Sequence, residues 1–260
     1  MNFADLGFRL GLACSFGGRE YAAVYSRKVV LTSVLPRAVL QAVFYTLLGR
    51  LLAGPGGTRQ AFVGAVGYAL VTATVVRLPD VLAADKQEGT AFRLRTGVLP
   101  RPVVAACRSW PYLAEALLSA AAVVAVGSLM VGEGSVALQL LRYVPLFVLS
   151  TVALAAFGLA GAAMSVGRRS DVLVGNLLAA LLLAGCQIVT ARPIGWLRAV
   201  GEVLPLRHAL EGVRAGIDGR SPWPQAGAEA LVGAGWFAVA AVALKVQGHR
   251  AAREGTDDHD

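Results

Sequence analysis

Six long apolar runs constrain this chain more than any other feature. They cover residues 29–48, 60–83, 111–131, 143–166, 172–191 and 226–246. A helix needs roughly 20 residues to cross a hydrocarbon core of about 30 Å, and every backbone amide inside that core needs an internal partner. Runs of this length, rich in Ala, Leu and Val, meet both needs as helices rather than as barrel strands. We therefore expect an all-α polytopic membrane protein with six transmembrane helices.

The composition and the charge distribution agree with a lipid environment. Of the 260 residues, 56% are hydrophobic and 15% are charged. The formal net charge is +8, but the Lys and Arg residues are scattered between the apolar runs, which argues against nucleic acid as a partner. With a cytoplasmic amino terminus, fourteen basic residues fall on inner segments and eight on outer ones. The positive-inside rule then predicts a multi-pass protein of the cell inner or plasma membrane with both termini in the cytoplasm.

The polar segments divide a single transmembrane domain, residues 1–260. Residues 1–28 mix apolar and charged side chains, which predicts an amphipathic helix along the inner membrane surface, broken or bent at Gly17-Gly18. The remaining boundaries are spans one and two at 29–83, a cytoplasmic loop at 84–108, spans three and four at 109–166, span five at 172–191, outer helices at 192–224, span six at 226–246 and a cytoplasmic tail at 247–260.

Three of the ionisable residues inside the predicted spans are selected as candidates, namely Arg77, Asp80 and Glu115. Arg77 and Asp80 are three residues apart near the inner end of the second span, so their side chains can pair on one helix face. Glu115 lies early in the third span. An ionisable residue in a membrane helix is a candidate functional group, but the shallow depth of Glu115 favours a structural or snorkelled role.

The outer segment, residues 191–224, carries apolar side chains at helical intervals among charges. Pro205 divides it, so the pattern predicts two short amphipathic helices, placed as re-entrant elements between spans five and six. Such helices can gate an exit path; the alternative is an ordinary interfacial cap.

Several chemistries are disfavoured by the residues present. A phosphate-binding loop needs Gly-Lys followed by Ser or Thr, whereas Lys28, Lys86 and Lys245 follow Arg, Asp and Leu. The three histidines and three cysteines show no ligand spacing, and we interpret the cysteines as small packing residues. We therefore assign no catalytic, cofactor-binding or metal-binding residue to this chain.

Two motifs, placed in order against the spans, resemble a known family. The inner loop carries Glu88-Gly89-Thr90, then Leu94 and Leu99-Pro100, and the outer segment reads LPLRHALEGVR over residues 204–214. This arrangement is similar to the permease subunit of type-2 ATP-binding-cassette exporters. Leu204 stands where that family usually has Asn, and Ala91-Phe92 stands where Leu-Glu is common.

The resemblance implies a mechanism in which ATP and Mg²⁺ are bound by a separate ATPase. The inner loop would act as a coupling helix on that ATPase through Glu88, Gly89, Thr90, Arg93 and Arg95. A complex of two ATPases with two permeases, identical or different, would move an amphipathic or hydrophobic substrate outward. The residues that the resemblance assigns to the outer gate are Pro205, Leu206 and Arg214.

Two alternatives remain open at this level. One is a proton-coupled secondary transporter that uses Glu115 or Asp80 as its titrating carboxylate. The other is a membrane assembly or signalling protein that moves no substrate. A Glu115→Gln variant separates the first alternative from an ATP-driven exporter, since proton-driven flux should collapse and ATP-driven export should largely survive.

Overall fold

The structure is a computed structural model that describes residues 3–79, 99–132, 134–165, 171–189 and 195–254. Regular structure in these ranges is helical, without a strand. The helices are α1 (Phe3–Val24), α2 (Arg27–Gly54), α3 (Gly56–Arg77), α4 (Arg101–Val131), α5 (Gly134–Met164), α6 (Asp171–Gly185), α7 (Gly195–Glu202), α8 (Arg207–Ile217) and α9 (Trp223–Glu254). The all-α class predicted from the apolar runs is therefore confirmed for the described part of the chain.

Five of these helices are long and apolar enough to cross a membrane. They are α2, α3, α4, α5 and the Trp223–Gln247 part of α9. The predicted fifth span corresponds to α6, whose 15 residues reach only about 22 Å, less than the hydrocarbon thickness. The chain is thus a multi-pass membrane protein, and the sixth crossing stays a prediction.

Helices α3 and α5 form the centre of the bundle. Their most apolar windows are 78% and 83% buried, against 22% for α2 and 17% for α9. Phe62 and Leu70 of α3 and Leu154 of α5 are fully enclosed, and Leu182 of α6 packs into the same core. The chain turns from α2 into α3 at Gly54, whose φ of +70° is a conformation that glycine adopts without steric cost.

The leading helix α1 forms as predicted, but the break expected at Gly17-Gly18 is wrong. The helix runs without interruption through both glycines. A Cβ atom at Gly17 would lie 2.6 Å from Cα of Arg108 in α4, so a side chain there would prevent the two helices from meeting. Gly17 is therefore explained by a close helix contact, which local sequence does not reveal.

The prediction of two short helices in residues 192–224 is confirmed. Helices α7 and α8 are separated by a short turn, Val203 to Leu206, that contains Pro205. Leu206 has a φ of +80°, which is uncommon for a residue with a side chain. Leu204 and Leu206 are buried in the main core rather than exposed on the surface of the bundle.

Candidate functional site

Glu115 of α4 is the centre of a buried polar cluster between three helices. Its Oε1 pairs with the guanidinium of Arg77 at the end of α3. Its Oε2 accepts a hydrogen bond of 2.6 Å from the hydroxyl of Tyr21 in α1. Residue Glu115 is 4% exposed. Both carboxylate oxygens are therefore engaged, one by a cation and one by a phenol.

Aromatic rings enclose this ion pair. The Arg77 guanidinium lies 5.2 Å from the ring centroid of Tyr25, and Tyr21 packs edge-to-face on Tyr112 at 5.1 Å. Burial, with the hydrogen bond to Glu115, raises the pKa of the Tyr21 phenol well above its usual range. The phenol thus stays protonated and remains a hydrogen-bond donor to the carboxylate. We call Tyr21, Tyr25, Arg77, Tyr112 and Glu115 the Glu115 cluster.

A second ion pair joins α1 to the beginning of α4. Arg108 donates from Nε and Nη2 to the carboxylate of Glu20, with distances of 2.6 to 3.1 Å. The Arg108 side chain is 3% exposed and also lies 5.4 Å from the ring centroid of Phe16. Such a fork-shaped, charge-assisted contact fixes orientation as well as distance. Trp110 adds a hydrogen bond of 2.8 Å from its indole N–H to the carbonyl of Cys14.

Both ion pairs flank the segment predicted to contact the ATPase. That segment follows α3, which ends at Arg77, and precedes α4, which contains Arg108 and Glu115. Asp80 lies outside the described residues. So do the predicted contact residues, which are Glu88, Gly89, Thr90, Arg93 and Arg95. The sequence suggested Asp80 as a partner for Arg77. The structure shows a partner from another helix, Glu115. The arrangement joins α1, α3 and α4 where the segment begins and ends.

The outer helix pair is fixed by Arg214 of α8. This side chain donates to the carbonyl of Gln60 at 3.2 Å and to the carbonyl of Gln187 at 2.9 Å. Burial lowers the pKa of the Arg214 guanidinium to about 10, which leaves it cationic at neutral pH. Arg214 therefore links α8 to the beginning of α3 and to the residues after α6. Pro205 and Leu206, the other predicted gate residues, form the turn at the opposite end of α8.

Glu229 of α9 is a buried carboxylate that the sequence analysis missed. It accepts hydrogen bonds from the hydroxyl of Ser150 at 3.0 Å, from the amide of Leu206 at 2.7 Å and from the amide of Ala209 at 3.2 Å. A signal was present, because an acidic residue inside a predicted span is a candidate by default. Tyr21 and the Glu20–Arg108 pair were missed for another reason, since their partners lie about 90 residues away in sequence.

The contacts in these clusters connect helices that are far apart in sequence. In the described ranges, no group of three or more His, Cys, Asp or Glu side chains is arranged to hold a metal ion. The Glu115 cluster consists of an ion pair, a phenol donor and packed rings. These contacts connect the leading helix with two membrane spans.

Comparison with known protein families identifies the family of this chain. The family described as ABC-2 type transporter matches residues 15–217, which includes the second part of α1, the described spans as far as α5, α6 and the outer helix pair. No curated protein and no solved structure shows significant similarity to the chain. The matched region covers more than half of the sequence and agrees with the multi-pass helical fold. The chain belongs to the ABC-2 type transporter family and is a membrane permease component of an ABC transporter.

Proposed function

We propose that this permease is the membrane-spanning subunit of an ATP-driven exporter. A separate ATPase would bind ATP and Mg²⁺ and contact residues 88–95 of the cytoplasmic loop, and two permeases with two ATPases would form the working complex. The substrate class we propose is amphipathic or hydrophobic. The observation that carries the proposal is the Glu115 cluster, because it joins α1 and α4 to α3 at the ends of that segment.

The movement that ATP hydrolysis would drive in the permease, which we call the stroke, follows from these contacts between α1, α3 and α4. A displacement of residues 88–95 would act on the end of α3 and the beginning of α4, which precede and follow them in the chain. Because Glu115 holds both Arg77 and Tyr21, α1 moves with these two helices rather than slipping past them. The Glu20–Arg108 pair adds a second connection between α1 and α4. A rigid group of three helices is what is needed to convert movement at the cytoplasmic surface into movement within the bundle.

The proton-coupled alternative finds less support in the geometry. A carboxylate that carries protons must exchange with water, whereas both oxygens of Glu115 are occupied and the residue is 4% exposed. A Glu115→Gln variant is also a poor discriminator, because it would break the pair with Arg77 and so weaken an ATP-driven stroke as well. An uncoupler that dissipates the proton gradient separates the alternatives without altering the protein.

The test of the proposal is affinity purification of the tagged permease from its native membrane. We expect an ATP-binding subunit to co-purify in an amount comparable to that of the permease. Charge reversal at the predicted contact, Arg93→Glu with Arg95→Glu, should abolish most of this association because these charges set the register on the partner. The matched control is Arg50→Glu, an exposed arginine at the far end of α2.

Two outcomes would refute the assignment. One is the absence of any nucleotide-hydrolysing protein from a permease that remains folded and monodisperse. The other is equal loss of the ATPase in the Arg50→Glu control and in the double variant, which would show a non-specific charge effect.

A further inference from the structure

One face of α9 holds the turn between the two outer helices. Glu229 accepts hydrogen bonds from the amides of Leu206 and Ala209. Seven residues later, on the same helix face, the indole of Trp236 donates to the carbonyl of Val203 at 2.7 Å. The first contact lies at the end of the turn and the second at its beginning. Helix α9 thus contacts both ends of the segment from Val203 to Leu206, which we call the outer turn.

Glu229 supplies the cap that α8 lacks in its own sequence. The residue at the cap position is Leu206, whose side chain accepts no hydrogen bond, and its φ is +80°. The first amides of a helix have no intrahelical partner and carry a partial positive charge. The carboxylate of Glu229 satisfies two of them, with Ser150 of α5 as its third donor. All three donors are neutral groups, and two of them are backbone amides at the beginning of α8.

The last three residues of the outer turn are buried in the bundle, and the turn covers a cysteine. Leu204 and Leu206 are at most 2% exposed. Gly67 of α3 lies against Leu206, because a Cβ atom there would be 3.0 Å from a Leu206 methyl carbon. The Cys186 thiol, at the end of α6, donates to the carbonyl of Pro205 at 3.3 Å and is 1% exposed. The accessibility of Cys186 therefore reports whether the outer turn is in place.

We propose that Glu229 is a positioning residue of the outer gate: it holds the outer turn in the bundle, and the turn leaves the bundle only when the carboxylate releases the end of α8. This inference rests on the proposed export function, in which the outer helices lie on the exit path. The carboxylate itself touches no substrate. Its role is to set the free-energy difference between the closed and open positions of the turn.

The experiment measures thiol labelling of Cys186 in the full-length permease, purified in lipid nanodiscs with Cys14→Ser and Cys107→Ser. The probe is a small maleimide, and mass spectrometry gives the rate. We expect Glu229→Ala to raise the labelling rate at least tenfold. Glu229→Gln keeps an acceptor for the Leu206 amide and should give an intermediate rate. The matched control is Asp218→Asn, which alters an exposed acidic residue after the other end of α8 and should leave the rate within twofold.

A second cysteine separates local opening from unfolding. Val123 of α4 is fully buried in the same core and is close to cysteine in size, so Val123→Cys with Cys186→Ala reports on the core. In the Glu229→Ala background this cysteine should stay unlabelled. The proposal is overturned if Cys186 labelling does not change in Glu229→Ala, or if both cysteines become labelled at similar rates. The measurement needs no ATPase, so its result is independent of whether an ATPase binds residues 88–95.

Discussion

At the scale of single residues, the buried charged side chains of this permease are the groups whose desolvation costs the most free energy. Removing one partner of a buried ion pair leaves the other charge without compensation. This destabilises the fold more than replacing both partners with apolar residues would. Glu115 has such a partner in Arg77, and Arg108 has one in Glu20. Glu229 is stabilised differently, by amides at a helix end. These carboxylates therefore fix helix positions.

Glu115→Ala should destabilise the permease by about 3 to 5 kcal/mol, because Arg77 would remain buried without its carboxylate. Tyr21→Phe removes a hydrogen bond to a charged group and should cost about 1.5 to 3 kcal/mol. The measurement is the midpoint of thermal unfolding in detergent. As a control, Asp5→Ala breaks the exposed pair with Arg9 and should cost at most about 1 kcal/mol. Equal midpoints for Glu115→Ala and Asp5→Ala would contradict the cluster.

At the scale of elements, the packing of α1 on α4 decides whether the leading helix moves with the spans. The contact depends on Gly17, on the Glu20–Arg108 pair and on the bond from Trp110 to the Cys14 carbonyl. The thiols of Cys14 and Cys107 also meet across this interface. The sequence showed α1 as an amphipathic helix but not which side packs on protein, since that side is defined by residues of α4.

Cross-linking tests this interface directly. An oxidant such as copper phenanthroline should join Cys14 to Cys107 in the folded permease, detected as a disulfide-linked peptide pair. Gly17→Ala should reduce the yield several-fold, because the added methyl would lie 2.6 Å from Cα of Arg108. Gly11→Ala is the matched control, since a Cβ atom at Gly11 meets nothing within 4 Å. Equal yields in the two variants would show that α1 does not pack on α4 in this way.

At the scale of the whole molecule, sequence predicted the helical membrane class, five of the spans, the leading helix and the outer helix pair. Each of these depends on local periodicity and on run length, which a single sequence displays. The Glu115 cluster and the Glu229 cap depend on contacts between distant segments, so their partners could not be assigned. The expected break at Gly17-Gly18 failed for the same reason, because the glycine serves a contact with Arg108.

The orientation of the whole molecule is tested by labelling from outside the cell. In a cysteine-free background we expect Gly219→Cys to react with an impermeant thiol reagent and Thr90→Cys to remain unreactive until the membrane is opened. Gly219 follows α8 in an exposed turn, which makes it accessible in the folded protein. Reaction at position 90 alone in intact cells would invert the topology.

The central claim is the proposal that a separate ATPase contacts residues 88–95 and moves them. The most direct measurement replaces Thr90 with a photo-reactive amino acid in the tagged permease and irradiates intact native membranes, with the same substitution at Gly219 as the control. The account predicts an adduct between position 90 and an ATP-binding subunit, and none with that subunit at position 219. Failure of position 90 to capture any nucleotide-hydrolysing protein, in a permease that is folded and membrane-inserted, would contradict it.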